Sequence, residues 1–345
     1  MSNQQNSVCA PKEFSFEISV VIPVRNEEES LPSLIDSLRQ QTLSPNEIIF
    51  VDGGSTDNTV TLAVRLANGD ARFRVIEAGE ATPGRGRNVG IAAARHEWIA
   101  LTDAGIRVEP TWLERLAKAA ESDSSVDVVY GNYEPIVNSR FERYAALTYP
   151  PPKQKRPGGR MRGPAIPSSL MRRRVWQAIG GFPDLRVAED LIFMECIGVH
   201  NFKVGWAPNA TVWWHLQPTF NRTFRKFVLY SRHNVLAGRQ RDWQYGVARQ
   251  YTVASIFVAL AVMHSLWWLI IPLLGILARV VKSIWQHREG RGLLWALNPV
   301  QFLGVLLIIL TIDLATFVGW AQAIWQRSEK TGHAAPSINR TNHIR

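Results

Sequence analysis

The stretch Val51-Asp52-Gly53-Gly54-Ser55-Thr56-Asp57-Asn58-Thr59 decides how this chain is read. A β-rich apolar run ends at Val51, two adjacent glycines let the backbone turn sharply, and a helical pattern begins near Asn58. Upstream, Ile18-Ser19-Val20-Val21-Ile22-Pro23-Val24 is β-branched and almost continuously apolar, as a strand buried on both faces should be. Asn26 and the glutamates Glu27, Glu28 and Glu29 then open a helix to about residue 41, their charge suited to the positive end of its dipole. The alternation continues downstream. Strands are expected at 47–51, 73–77, 98–102 and 126–130, with helices at 58–67, 86–95 and 112–121. This pattern implies a parallel, doubly wound α/β sheet, whose ligands gather at the carboxyl ends of the strands.

The 345 residues carry 39 Lys+Arg against 29 Asp+Glu, a formal charge of +10 that fits a phosphate-rich partner: nucleic acid, an anionic membrane surface or a nucleotide. The apolar C-terminal third has no place in a free DNA-binder, so nucleic acid is set aside. Cys9 and Cys196 make neither a C-x-x-C zinc motif nor a disulfide framework. Residues 1–12 lack the apolar core of a secretory signal, which leaves the N-terminal domain expected in the cytoplasm. Residues 138–174, rich in Pro, Gly and Arg, read as a loop region. Residues 251–281 and 293–325 each exceed the roughly 20 apolar residues a spanning helix needs. Two spans are the natural count. They would place the basic residues 282–291 outside, against the usual charge rule, and a third, re-entrant or interfacial segment would relieve that tension. Asp313 interrupts the second run and is either functional or a polar contact within a helix pair.

Four motifs in order give the chain a resemblance to the family 2 glycosyltransferases of the GT-A fold. They are Pro23-Val24-Arg25-Asn26-Glu27-Glu28, the Asp52 loop, the helix from Gly86-Arg87-Asn88 to Arg95, and Ile179-Gly180-Gly181-Phe182-Pro183-Asp184 followed by Glu189-Asp190. The resemblance covers roughly residues 17–215. It implies that Pro23, Arg25, Glu27 and Asp52 line the base and ribose of a nucleotide-sugar donor, that Arg87 approaches the nucleotide, and that Asp103 touches the ribose. It further implies Asp190 as the general base of an inverting transfer, with Glu189 positioning the acceptor or Asp190. In the family the fourth strand ends in Asp-x-Asp; here Asp103-Ala104-Gly105 lacks the second carboxylate. A divalent metal (Mg²⁺ or Mn²⁺) would then depend on Asp103, with His215 the other candidate ligand, and Arg156, Arg160 and Arg162 would share the neutralisation of a diphosphate in place of the missing ligand. Gln240-Arg241-Asp242-Trp243 does not have the spacing of the processive members' Q-x-x-R-W motif.

The expected organisation is a disordered segment at 1–16, a GT-A catalytic domain at 17–220, a basic aromatic interfacial connector at 221–250, a transmembrane region at 251–326 and a polar tail at 327–345. The expected activity is transfer of a sugar from a nucleoside-diphosphate donor to a lipid or lipid-linked saccharide at the cell's inner membrane, in a multi-pass protein with its catalytic domain cytoplasmic. The alternative is a non-catalytic membrane scaffold that keeps a degenerate nucleotide pocket. Asp52, at a loop end, is expected to be dispensable for the fold. Oligomeric state is left open.

Overall fold

The structure, a computed structural model, describes residues 17–332; the segment 1–16, Cys9 and the tail after residue 332 lie outside the described residues. The chain divides into two compact units, the second of which gathers residues 135–152 and 185–188 together with the chain from His215 onward.

The first unit opens with β1 (Ile18–Val24), α1 (Leu31–Arg39), β2 (Glu47–Asp52), α2 (Thr59–Ala67), β3 (Phe73–Glu77), α3 (Pro83–Ala93) and β4 (Trp98–Leu101). β5 (Ile106–Val108), α4 (Trp112–Glu121) and β6 (Val128–Ile136) follow. The glutamates after β1 form a turn rather than the expected first helical turn, and α1 begins only at Leu31. From there Leu31, Leu34, Ile35 and Leu38 repeat at helical spacing and are fully buried. Each such side chain contributes about 1.5–3 kcal/mol by leaving water.

The stretch read as loop contains more structure than expected: α5 (Arg140–Ala146), the hairpin β7 (Gln154–Arg156) and β8 (Gly159–Met161), and β9 (Ser169–Arg172). Beyond it lie α6 (Arg173–Ile179), α7 (Glu189–Val199) and β10 (Val204–His215). The eight-stranded sheet has the order β3-β2-β1-β4-β9-β6-β10-β5. Strands β3, β2, β1 and β4 are parallel, but β9 runs antiparallel to both β4 and β6, and β5 runs antiparallel to β10. The doubly wound parallel reading therefore holds for the first four strands only. β9 is four residues long, too short for a period to show, and takes its strand conformation from the neighbours on either side.

Both faces of the sheet are covered. Ile18, Val20 and Ile22 point into a core with α1 and α4, whereas Val21, Ile49 and Val51 face Ile91 of α3, Val175 of α6 and Phe193 of α7. Helix α3 lies unusually close to the strands because Gly86 and Gly90 face them. A Cβ on Gly86 would stand 3.2 Å from Pro23, and one on Gly90 only 2.4 Å from Val21 Cγ1.

In the second unit α5 is opened by a capping box between Ser139 and Glu142. The remaining helices are α8 (Phe220–Leu236), α9 (Gln244–Met263), α10 (Ile270–Gln286), the short α11 (Leu293–Ala296) and α12 (Pro299–Gly332). Among the described residues, three helical segments are long and apolar enough to cross a membrane: Gln244–Met263, Leu266–Gln286 and Pro299–Ser328. The run 251–281, expected as one span, is two helices, broken where His264 leaves α9 and the Ser265 hydroxyl accepts from Trp267 N–H to start a new turn. Asn298 opens α12, its side-chain oxygen accepting from Val300 and Gln301 N–H.

Gly90→Ala should force the added methyl against Val21 and Val51. Overpacking of this kind costs about 1–3 kcal/mol. Denaturant unfolding of the purified protein checks this, and an unchanged midpoint would mean that α3 can move away from the sheet freely.

Candidate functional site

The carboxyl ends of β1 and β2 are level, Val24 pairing with Asp52, and the loops that leave them are tied together by their own side chains. Asn26, at φ +56°, accepts from Thr56 N–H through Oδ1 (2.8 Å), while its own N–H donates to the Ser55 hydroxyl (2.9 Å). Glu27 N–H donates to the Thr59 hydroxyl (2.7 Å). Asp52 is 4% exposed, and its carboxylate accepts from Gly54 N–H, Ser55 N–H and the Ser55 hydroxyl. This corrects the expectation that Asp52 is dispensable for the fold: its carboxylate shapes the loop. Gly53 has no room for a side chain, since a Cβ would lie 2.8 Å from the Ala81 carbonyl. Pro23, Arg25 and Glu27 remain partly open on this rim.

Arg87 of α3 is 3% exposed and joins two carboxylates. Nη2 donates to Asp103 Oδ1 at 2.7 Å, just past β4, and Nη1 donates to Glu189 Oε1 at 2.8 Å, on the first residue of α7. Burial works to lower the Arg87 pKa, but the charges of Asp103 and Glu189 outweigh it and hold the guanidinium firmly protonated. Arg87 thus acts here as a buried link between carboxylates, with both terminal nitrogens engaged.

The Gly-Gly-Phe segment is bound to the same helix. Asn88 Nδ2 donates to Phe182 O, and Asn88 Oδ1 accepts from Phe182 N–H and Trp176 Nε1. Phe182 stacks on Phe193 of α7 at 3.9 Å between centroids, and Asp184 accepts from the Thr82 hydroxyl (2.6 Å). Gly84 completes the approach, because a Cβ there would lie 2.3 Å from the Pro183 carbonyl.

Glu189 and Asp190, adjacent in sequence, meet different surroundings. Glu189 is 6% exposed, and its pKa is raised chiefly by burial and further by Asp190, with Arg87 opposing. Asp190 is half-buried in the first turn of α7, its Oδ1 accepting from Leu191 N–H. Its charge reaches Tyr133 of β6, whose hydroxyl is pushed up to about 12, mainly by burial. Tyr133 went unnoticed in the sequence because a lone tyrosine in a strand carries no motif.

The basic stretch is largely occupied. Arg162, 7% exposed, donates through Nη2 to Glu134 Oε2 (3.0 Å), and Lys153 pairs with Glu134 Oε1 (2.8 Å). Arg156 lies 4.5 Å over the Trp206 ring, and Arg160 donates to the Lys153 carbonyl. None of these was foreseen as an internal contact.

The side chains here fit a divalent cation poorly. Asp103 has Oδ1 committed to Arg87, Gly105 offers nothing, and among the described residues no group of three His, Cys, Asp or Glu gathers to hold a metal. His215 is exposed at the end of β10 and belongs to the second unit. This set does not make a resident metal site.

Glu27 gives a pH test. Its pKa is raised, first by burial and then by the nearby charges of Asp103 and Asp57, with the Ser30 hydroxyl opposing. A carboxyl raised in the fold stabilises at pH below its unfolded value of 4.5, and that contribution is lost as pH rises through the folded value. Glu27→Gln should therefore raise Tm relative to the parent at pH 7, with the gain fading toward pH 4; a Tm difference that is flat with pH would contradict this.

Residues 19–180 match the family described as Glycosyl transferase family 2. Among curated relatives, the uncharacterised glycosyltransferase EpsJ of Bacillus subtilis is 35% identical over 136 residues, covering 39% of this chain and 38% of that one. The O-antigen chain rhamnosyltransferase RfbN of Salmonella typhimurium is 25% identical over 216 residues, covering 56% of this chain and 65% of that one. The chain thus spans between about a sixth and two thirds of the length of the relatives it matches. A crystal structure of S. aureus TarS 1–349 in complex with UDP-GlcNAc superposes with a TM-score of 0.47 at 14% identity, covering 92% of each chain.

Proposed function

We propose that this chain, whose residues 19–180 belong to glycosyl transferase family 2, transfers a sugar from a nucleoside-diphosphate donor to a lipid or lipid-linked saccharide, with inversion at the anomeric carbon. The observation that carries the reading is the Arg87 link. It ties Asp103, beside the strand ends where donors bind in such sheets, to Glu189, the residue before the proposed base. Pro23, Arg25 and Glu27 line the base and ribose, and Asp52 holds the loop that faces them.

In the reaction the acceptor oxygen forms a bond to the anomeric carbon as the bond to the donor's diphosphate breaks. The nucleoside diphosphate leaves with the electron pair, and the acceptor's proton passes to the Asp190 carboxylate. Being half-buried, Asp190 is open to an incoming hydroxyl, whereas Glu189 is spent on Arg87 and serves to position it. The three apolar segments support an acceptor held in or near lipid, with the N-terminal domain on the cytoplasmic face of the inner membrane, where the basic residues at 222–249 favour anionic lipid. The engagement of Asp103 by Arg87 and the glycine at 105 favour the second reading, a scaffold that binds a nucleotide without transfer.

Transfer assays on purified membranes with a panel of nucleotide sugars test the proposal. Asp190→Asn should lower turnover about 10²–10⁴-fold with donor binding little changed. Near-normal turnover in that variant removes Asp190 as the base, and nucleotide binding without transfer from any donor selects the scaffold.

The donor set leads to a further expectation, that the activity depends only weakly on Mg²⁺ or Mn²⁺. A chelator titration should leave most of the rate in place; complete, reversible loss at low chelator would show a tightly required cation.

A further inference from the structure

We infer that the second unit is a monotopic membrane base: α12 lies in the plane of one leaflet, and α9 with α10 forms a re-entrant hairpin. Every end of the apolar region then stays on one side of the bilayer. This stands on contacts within the second unit and holds whatever the N-terminal domain transfers.

Helix α12 is two-faced. Val300, Leu303, Leu307, Leu310 and Leu314 recur every three or four residues, all apolar and all exposed. The opposite face is buried against two charged helices. Near one end a Cβ on Gly304 would overlap the Tyr144 ring of α5, and Val305 and Ile309 join Leu147 in one apolar cluster. Toward the other end Gly319 abuts the Val228 carbonyl and Ser231 of α8, and the Ser231 hydroxyl donates to Thr316 O at 2.7 Å.

Helices α5 and α8 also lean on each other. Phe141 meets Phe220 edge-on at 4.8 Å, and Tyr149 meets Phe227 at 5.2 Å. Ser231 reaches Thr316 and Val235 reaches Arg327, so α8 runs alongside α12 and its first turns lie toward the Gly304 contact, which is fifteen residues and about 22 Å from Gly319 along the axis. Arg222, Arg225 and Lys226 stand in those first turns of α8, between Phe220 and Phe227. Were α12 upright, these three cations would stand inside a hydrocarbon layer about 30 Å thick. Laid flat, α12 turns its apolar stripe to the acyl chains and leaves the cations at headgroup level, the arrangement of an interfacial amphipathic helix.

Helices α9 and α10 both meet α12 at Asp313. Arg279 donates to both carboxylate oxygens of Asp313 (2.6 and 2.9 Å), and the Tyr251 hydroxyl donates to Oδ2 (2.9 Å). Past this point α9 continues for twelve residues to Met263, about 18 Å, before α10 returns. Residues 252–278 include no Asp, Glu, Lys or Arg. Val262, Met263 and Trp267 at the tip are 82%, 75% and 76% exposed, and Phe257 stacks on Trp268 to hold the arms together. An apolar hairpin about 18 Å deep dips into the bilayer without crossing its core. A hairpin that re-enters returns Lys282, Arg288 and Arg291 to the side from which α9 leaves, where Arg239, Arg241 and Arg249 precede it, so both basic clusters face the same anionic leaflet.

Single cysteines in the full chain carrying Cys9→Ser and Cys196→Ser decide the matter. Asn68→Cys marks the side of the N-terminal domain, Gln286→Cys follows the hairpin, Ser328→Cys follows α12 and Ser265→Cys marks the tip; all four positions are exposed, so a cysteine is tolerated. A membrane-impermeant thiol reagent applied to sealed vesicles of each orientation should label Asn68→Cys, Gln286→Cys and Ser328→Cys from the same face only. Ser265→Cys should react from neither face until detergent is added. Label at Ser328→Cys from the face opposite to Gln286→Cys shows that α12 crosses and overturns the inference. So does label at Gln286→Cys from the face opposite to Asn68→Cys, or label at Ser265→Cys from that opposite face.

Discussion

The guanidinium of Arg87 is the polar link between three elements that also share one apolar core. It sits on α3 and bonds a carboxylate after β4 and another at the start of α7, all but shut off from water. A buried cation is tolerable only if it is paired, and removing one member of such a pairing costs about 3–5 kcal/mol because the remaining charge is stranded. The arrangement therefore resists small displacements. Asp103 on one side and the Glu189-Asp190 pair on the other are held at a fixed separation by one rigid, planar group.

Around this link the two halves of the site are built differently. The strand-end loops are stiffened by side chains spent on backbone: Asp52 on Gly54 and Ser55, Asn26 on Thr56. Glycines at 53, 86 and 90 let backbone and helix approach where no side chain would fit. Such a wall suits a flat, invariant ligand part such as a nucleoside. Asp190 is instead half-buried and carries one local hydrogen bond from its own helix turn. The same physics separates the adjacent acids, since burial raises the pKa of Glu189 and Arg87 opposes it.

The second unit carries the long apolar segments, and the carboxylate buried among them is satisfied internally. Asp313, 2% exposed, has both oxygens bonded by Arg279 and a third contact from Tyr251, so three apolar helices share one neutralised charge. Of the two readings that the sequence left open for Asp313, this is the polar contact, extended from a pair of helices to three. Gly304 and Gly319 allow α12 to press on α5 and α8, which sets the face it keeps bare.

The sequence by itself determined the first four strands, the helices between them, the loops at their ends and the apolar character of the C-terminal third. Each of these depends on short-range information: a period, a glycine pair or a run of apolar residues. The antiparallel half of the sheet was not legible, because β9 and β5 are only four and three residues long and owe their conformation to strands distant in sequence. Nor was the structural use of Arg87, Asp52 and Arg162. A motif says that a charged residue stands at a position, but whether it faces a ligand or a buried partner depends on which carboxylate or amide the fold brings within about 3 Å. Asp103 and Glu189 lie 16 and 102 residues from Arg87, and only the tertiary structure, by packing α3 between the strand ends and α7, decided that all three would meet.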